Sequence, residues 1–483
     1  MNHVWAYIGF FLYMVFDVVL GELLKKLLKM DSDIIRKIQH ILTFPCWVIL
    51  YLTTGCSIHA VIITGVGTAL LAFITFSGLF KAVQRSESHN YGVFYFGLAC
   101  FIVTLLCHLF FPDKYYLVGI TYFCLSLADG FAPLTAKWFK KINREIRPTK
   151  SIIGCLTVYL LSLATVFAFN LIFNIGLSPL FLFAFASTFT LAEYYGYKGL
   201  DNLFTVLLSF GFLVLEIYGL NNIALSISLL LFPFITVLNS FKRSLTEMAL
   251  FTALITISIA SYFGGLVILL MFLLLFFVNA IVVGVVRRVL RKKGYDIKKS
   301  KPRGAIQILC NSLVTAVLSI VYYFTNMPAF LIAAIIVVVE NFADSMASDI
   351  GRYAKRQPLD ILRFKRVEAG LSGGVSLLGT VVALISIFAV LTFPFAFNTY
   401  DWVKYLVCSA IAFIGVFIDS ILGSSIQNKN ICPVCNKVTE DKIHCEVETK
   451  HHSGLKFITN SGVNFLTSLL TCGLSLLIFL TCF

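Results

Sequence analysis

Runs of about 20 apolar residues, the length a helix needs to cross a hydrocarbon core, recur sixteen times along this chain. They fall near 3–20, 38–54, 58–80, 91–111, 115–135, 152–174, 178–195, 203–220, 222–239, 248–262, 265–286, 305–325, 328–348, 372–395, 402–422 and 461–482. A backbone in lipid must satisfy its hydrogen bonds within its own segment, so every run predicts a helix. The predicted fold is all-α: a polytopic transmembrane helical bundle of about 16 spans. We read two membrane domains, 1–220 and 221–483, the second carrying a polar loop at 428–460.

Composition agrees with that pattern. Of 483 residues 59% are hydrophobic and 13% charged, and the mean hydropathy is +0.91. These values exclude soluble, disordered and collagen-like classes. Most of the 13 Cys stand singly in apolar runs, as Cys100, Cys124 and Cys408 do, which fits small core residues better than a disulfide framework. The first run carries Asp17 and is followed by Lys25 and Lys26, so an uncleaved helix is expected in place of a signal peptide.

Charge then orients the bundle. When the sixteen runs are threaded alternately across the bilayer, 36 of the 38 Lys and Arg fall on one side, and the other side holds Lys114 and Lys404. Basic residues collect in cytoplasmic loops, so the N-terminus is expected outside and the polar machinery facing the cytoplasm. The membrane would be the plasma membrane in a prokaryote. The net charge of +14 is explained first by topology, and no nucleic-acid partner is expected.

Asp17, Asp129, Glu193, Glu216, Glu340, Asp344 and Asp419 lie inside or at the ends of apolar runs. A carboxylate there is costly, and it pairs with a cation, binds a metal or sits neutral. Asp17 and Glu216 have no polar company in the sequence, whereas the others adjoin Gly, Ser, Asn or basic loops. Asp129-Gly130 closes the fifth run and is followed by five Lys and Arg between 137 and 147, then by Lys150-Ser151-Ile152-Ile153-Gly154. A Ser at a helix start, with Lys beside it and Gly close by, offers N–H groups, a dipole and an ammonium to a phosphate. Asp129, Glu193 and Asp201 arrive at one predicted depth, as oxygen ligands for Mg²⁺ should.

Over most of 1–220 the chain resembles the phytol, polyprenol and dolichol kinases and their cytidylyltransferase relatives. The resemblance is carried by Arg36-Lys37-x-x-His40, Arg85 with Tyr91-Gly92 and Gly97, Ala128-Asp129-Gly130, Lys150-Ser151-x-x-Gly154, Glu193, and Asp201-Asn202. It implies phosphorylation of a lipid alcohol by CTP or a similar nucleotide with Mg²⁺. Cys155 stands where many relatives have Ser, and Ile153 where dolichol-kinase-like members have Glu, which moves the match toward phytol kinase.

In the second half nine cations stand between Arg287 and Arg303, followed by Gln307 and Asn311. Such density suits anionic headgroups or a nucleotide. Glu340, Asn341, Asp344, Ser345, Ser348 and Asp349 make two oxygen-rich stripes on adjacent helix faces, read as a metal site. Gly370, Gly373, Gly374 and Ser376 precede a helix and predict a loop that wraps an oxyanion, with close helix packing the alternative for any one glycine. Asp419 completes the polar set. Cys432-x-x-Cys435 and, after eight further residues, His444-Cys445 hold enough N and S ligands for structural tetrahedral zinc, the alternative being a loop of free thiols.

Residues 241–483 look like the family whose plant and cyanobacterial members include phytyl-phosphate kinase. Its carriers are Arg303-x-x-x-Gln307 with Asn311, Ala343-Asp344-Ser345-x-Ala347-Ser348-Asp349-x-Gly351, Pro358, the glycine loop through Gly379, Asp419-Ser420-x-x-Gly423, and Asn460 with Asn464. Asp349 stands where relatives usually have Glu.

Together the two resemblances imply a natural fusion: a bifunctional isoprenoid kinase that converts a prenyl alcohol to its monophosphate and then to the diphosphate. In the first half Asp129 and Asp201 would hold Mg²⁺, with Glu193 as ligand or base. Arg36, Lys37, His40, Lys150, Ser151, Gly154 and Asn202 would hold the triphosphate. In the second half Asp344, Asp349 and Asp419 would hold metal, and Arg303, Gln307, Asn311, Gly370, Gly373, Gly374 and Ser376 the phosphates. The partners would be bilayer, isoprenoid alcohol, isoprenoid monophosphate and nucleoside triphosphate. A dolichol or diacylglycerol kinase, a cytidylyltransferase, and a lipid-phosphate transporter or flippase are the rival readings.

Overall fold

The computed structural model of the chain describes residues 4–30, 32–77, 91–147, 149–196, 199–292, 302–397 and 402–483. Arg85 and the 293–301 part of the nine-cation stretch lie outside the described residues. The chain forms two compact units, Met1–Asn222 with Leu229–Lys242, and Ile223–Ser228 with Arg243–Phe483.

The first unit contains α1 (Val4–Leu28), α2 (Ser32–Leu42), α3 (Phe44–Thr53), α4 (Ile58–Ser77), α5 (Gly92–Phe110), α6 (Tyr116–Phe123), α7 (Gly130–Trp138), α8 (Ile152–Ile172), α9 (Pro179–Tyr195) and α10 (Leu200–Ile217). Strands β1 (Glu145–Arg147) and β2 (Lys150–Ser151) pair antiparallel ahead of α8. Helix α11 (Ile223–Lys242) is divided between the units. The second unit contains α12 (Glu247–Lys292), α13 (Ala305–Thr325), α14 (Pro328–Gly351), α15 (Leu377–Phe397), α16 (Trp402–Ser425) and α17 (Asn460–Thr481). Its strands are β3 (Leu359–Asp360) paired with β4 (Gly374–Val375), β5 (Lys429–Ile431) between β6 (Val438–Thr439) and β9 (Lys450–Ser453), and the hairpin β7 (Ile443–His444) with β8 (Val447–Glu448).

Thirteen helical stretches among the described residues are long and apolar enough to cross a membrane. The difference from the sixteen predicted runs has local causes. The 38–54 run breaks at Thr43 into α2 and α3, because Pro45 in the first turn of α3 has no N–H to continue the ladder. Helix α9 stops after 17 residues. The 248–262 and 265–286 runs join in α12, bent at Gly265, whose φ of 76° only glycine adopts cheaply.

One helical stretch in each unit lies inside its bundle. In the Pro112–Trp138 stretch 67% of the apolar window is buried, and in α14 78%, against 17–39% in the others. A helix apolar all round is an inner helix, and the unbroken Ile332–Val339 run of α14 is walled by α12, α13, α15, α16 and α17. Leu12, Phe73, Leu171, Ile385 and Leu477 instead face outward, where lipid is the apolar partner. The two inner stretches carry Asp129 and the Glu340–Asp349 acids, respectively.

Candidate functional site

In the first unit, α2 is strongly amphipathic and presents Arg36, Lys37 and His40 to a cavity of about 590 Å³. Asp129 reaches the same cavity at the end of a π-helical turn, Cys124–Asp129. Pro133 stands four residues after Asp129 and has no N–H for its carbonyl. Lys37 Nζ donates to that carbonyl at 3.2 Å and to Asp129 Oδ1 at 2.8 Å. His40 Nε2 lies 3.6 Å from Asp129 Oδ2. Gly130 makes the approach possible, because any Cβ there would strike Ile41 of α2.

Opposite charges meet again at Lys150, which β2 places between Glu193 at the end of α9 and Asp201 at the start of α10. Its Nζ bonds Glu193 Oε1 and lies 3.9 Å from Asp201 Oδ2. Burial pulls the Lys150 pKa down, but Glu193 and Asp201 outweigh it and raise it, so the ammonium persists. Glu193 Oε2 is buried without a hydrogen-bond partner. Asn202 fixes α10 to α5 by donating to Gly92 O at 2.8 Å. The remaining wall includes Phe10, Leu50, Leu71, Phe96 and Cys100, so the cavity joins a charged lining to an apolar one.

The helix start at Ser151 differs from its prediction. The side chain of Ser151 accepts Gly154 N–H at 3.2 Å, Asn143 Oδ1 accepts Ile153 N–H at 3.1 Å, and Arg144 O accepts Ile152 N–H at 3.0 Å. Ser151 and Gly154 line the cavity, but the amides expected to receive a phosphate serve the cap of α8.

In the second unit Asp349 is surrounded by guanidinium groups: Arg287, Arg303 and Arg352 each lie 3.5 Å from one of its oxygens. Arg303 is placed by its backbone, which donates to Ser244 O and accepts from Thr246 N, both at 3.0 Å. Deeper in the bundle Glu340 is buried on α14 with Oε2 unpartnered, and its Cγ lies against Gly415 of α16. Asp344 and Asp419 sit one turn further along α14 and α16, both partly buried. Thr467 of α17 donates to Asp419 Oδ2 at 3.2 Å, and Asn464 Nδ2 donates to Asn311 Oδ1 at 3.2 Å. Gln307 lies in the first turn of α13, half-buried. Among the described residues no ion pair closes on Glu340, Asp344 or Asp419.

A family model described as "Integral membrane protein DUF92" matches residues 230–472. The chain belongs to this family. Protein PGR of Arabidopsis thaliana is 30% identical over 206 residues, 38% of this chain and 70% of that relative. No solved structure matches. The DUF92 match takes in the acids of α14 and α16, the glycine loop and the Cys/His loop, and leaves the first-unit cavity outside it.

Within the DUF92 region the glycine loop corrects the prediction of an open anion cradle. Ser372 N–H donates to Glu440 Oε1 at 2.9 Å, Gly374 N–H to Leu371 O at 3.2 Å, and Gly379 N–H to Ser376 Oγ at 3.1 Å. Gly373, at φ 85°, lets the loop pass the backbone of Ser424, whose N would stand 2.6 Å from any Cβ. Gly370, at φ 92°, has open space around it. Packing, the alternative reading, explains Gly373; capping of α15 explains Ser376.

The acids expected to gather as Mg²⁺ ligands approach one another, Glu340 with Asp344 and Asp419, and Glu193 with Asp129 and Asp201, but do not close to metal-ligand spacing. Among the described residues the group of His, Cys, Asp or Glu ligand atoms that closes to within 4.8 Å is Cys432, Cys435, His444 and Cys445. Asp129 is instead paired with Lys37, Asp201 and Glu193 with Lys150, and Asp349 with three arginines. Asp17, without polar company in the sequence, lines the first cavity, and its carbonyl accepts Gln39 Nε2–H at 3.0 Å. The sequence pattern did not single out Arg352 or Asp360. Asp360 Oδ1 accepts Ser424 Oγ–H at 2.7 Å and the N–H groups of Leu362 and Arg363 at 3.0 and 2.9 Å.

Proposed function

We propose that this chain phosphorylates a membrane isoprenoid alcohol in its first unit and the resulting monophosphate in its second. The observation that carries the reading is the first-unit cavity, where the Lys37–Asp129 and Lys150–Glu193 pairs share one wall system with apolar side chains. A prenyl alcohol has this division, a hydroxyl on a long hydrocarbon. The nucleoside triphosphate enters as a substrate with its own Mg²⁺. Arg36, Lys37 and Lys150 neutralise phosphate charge that grows during transfer. The alcohol oxygen bonds to the γ-phosphorus as the bridging P–O bond breaks, the nucleoside diphosphate leaves with the electron pair, and the hydroxyl proton passes to Glu193 Oε2.

In the second unit the acceptor is itself an anion whose attacking oxygen needs no strong base. Three arginines around a single carboxylate suit that acceptor, since a phosphate competes with Asp349 for them. Asp344 and Asp419 lie beside this group without a direct ion pair among the described residues and are available to the nucleotide's Mg²⁺. The same unpaired acids favour a second reading, a cation-coupled carrier of lipid phosphate, in which they take and release a proton or cation.

Purified protein given Mg²⁺, CTP or ATP, and phytol or geranylgeraniol, with products resolved by mass, separates these readings. Monophosphate and diphosphate are expected. Asp129→Asn should abolish the first, and Asp344→Asn should accumulate monophosphate. Diphosphate formation unchanged in Asp344→Asn would remove the second-unit assignment, and transport without nucleotide turnover would select the carrier.

A further inference from the structure

The Cys/His loop lies between α16 and α17. Its four ligand atoms, the thiols of Cys432, Cys435 and Cys445 and one ring nitrogen of His444, lie mutually within 4.8 Å. His444 Nδ1 stands 3.5 Å from Cys435 Sγ and 3.3 Å from Cys445 Sγ. Tetrahedral zinc, with its bond lengths near 2.3 Å to sulfur and 2.0 Å to nitrogen, sets ligands about 3.5–3.8 Å apart. The four groups therefore already surround a point of the right size.

The backbone is shaped to present them. Cys432 N–H donates to Lys437 O at 3.0 Å, and Asn436 N–H donates to Cys432 O at 2.9 Å with Asn436 at φ 54°, which curls Cys432 and Cys435 toward one side. In the two-residue turn between β7 and β8, Cys445 and Glu446 both take positive φ, 52° and 63°. Such turns normally use Asn and Gly. Holding Cys and Glu there is unfavourable and persists where something over-determines the conformation. A bond from Cys445 sulfur to a metal does so.

We propose that Cys432, Cys435, His444 and Cys445 bind one zinc ion, and that this ion braces the glycine loop through Glu440. The shell of four protein ligands is closed, so the ion is structural and holds no substrate. Three thiolates and an imidazole select zinc over the hard cations that oxygen ligands prefer. The brace follows from position: Glu440 lies between Cys435 and His444 in the sequence, and its carboxylate accepts Ser372 N–H at 2.9 Å. Gln427 Nε2, just before β5, donates to Ser372 Oγ at 3.0 Å. Lys437, 3.5 Å from Glu368, adds an exposed pair of small weight. Without the ion, the β7–β8 hairpin and the Cys432 turn lose their common anchor, and Glu440 loses its fixed position.

The experiment uses the full chain in detergent under reducing conditions. Elemental analysis should find about one zinc per chain, and a Cys435→Ser/Cys445→Ser variant should hold at least about ten-fold less. Cobalt exchanged into the unmutated protein should give the intense visible bands of a tetrahedral thiolate site, a readout that does not depend on a variant folding. Less than about a tenth of an equivalent after zinc supplementation, or zinc retained in the double variant, overturns the site. For the brace, amide exchange at 370–374 should rise on chelation and also in Glu440→Ala, which should keep its zinc. Exchange at 370–374 unchanged by chelation overturns the brace. Both readouts are independent of kinase activity, so failure here is distinguishable from failure of the proposed function.

Discussion

At the scale of the residue, the acids divide by what satisfies them. Asp129, Glu193, Asp201 and Asp349 pair with Lys or Arg, whereas among the described residues no ion pair closes on Glu340, Asp344 or Asp419. Sequence order alone found the first group, because each acid is followed by Gly, Asn or a basic loop. It could not find Asp360, whose partner Ser424 is 64 residues away and whose neighbours in sequence are ordinary loop residues. Burial pushes the Asp360 carboxyl up, but the Ser424 hydroxyl and the Arg363 and Leu362 amides bring it below its ordinary value. A depressed folded pKa means that the stabilisation is present above the unfolded value, about 3.9, and is lost as pH falls through the folded one. Asp360→Asn should therefore lower the Tm at neutral pH, by an amount equivalent to about 1–3 kcal/mol, and flatten its decline on the acid side. Melting curves between about pH 3 and 7 check this; a mutant curve parallel to that of the parent protein would show that the carboxylate is not responsible.

Elements show where a correct motif carried a wrong mechanism. Three glycines ahead of a helix look the same in sequence whether the backbone must approach a phosphate or another stretch of protein. In α15's approach loop the partner is protein: Ser424 of α16 meets Gly373. The start of α8 repeats the lesson, since Ser151 caps its own helix before it can meet a ligand. Helix existence was easier to read than helix breaks, because apolar periodicity extends over a whole run while one Pro45 or Gly265 decides a bend. Gly373→Ala would combine a left-handed φ with a backbone collision, so it should destabilise the second unit by more than about 1–3 kcal/mol. Gly284→Ala in α12, with nothing within 4 Å of its Cβ, should be neutral or stabilising by up to about 1 kcal/mol. Thermal unfolding of both variants in the same detergent checks the pair, and equal Tm values would refute close packing at Gly373.

For the whole molecule, an integral membrane architecture was legible from hydropathy alone, and membership of the DUF92 family agrees with it. Sidedness is a separate matter, because it depends on the distribution of charge between loops rather than on packing. Lys and Arg resist translocation, and a chain that places 36 of 38 on alternate loops should insert with those loops in the cytoplasm. Lys114, in the turn before α6, and Lys404, at the start of α16, then mark the outer face. Single cysteines placed at Lys114 or Lys404 in a background lacking other exposed thiols should react with an impermeant maleimide added to intact cells. Probes at Lys140, Arg356 and Lys450 should react only after the membrane is opened. The argument is sensitive to the helix count, since one span added or removed inverts every later loop. Labelling of Lys114 and Lys404 from opposite faces would mean that an odd number of crossings had been misassigned between them, most simply at α9, too short to be counted by length, or at α12, where two runs join. Labelling of both from the cytoplasmic face would instead leave the count between them intact and mean a reversed orientation or a miscount before Lys114, as at α3, putting the Lys150 and Arg303 groups on the side where no nucleotide is supplied, and the kinase reading would fall with it.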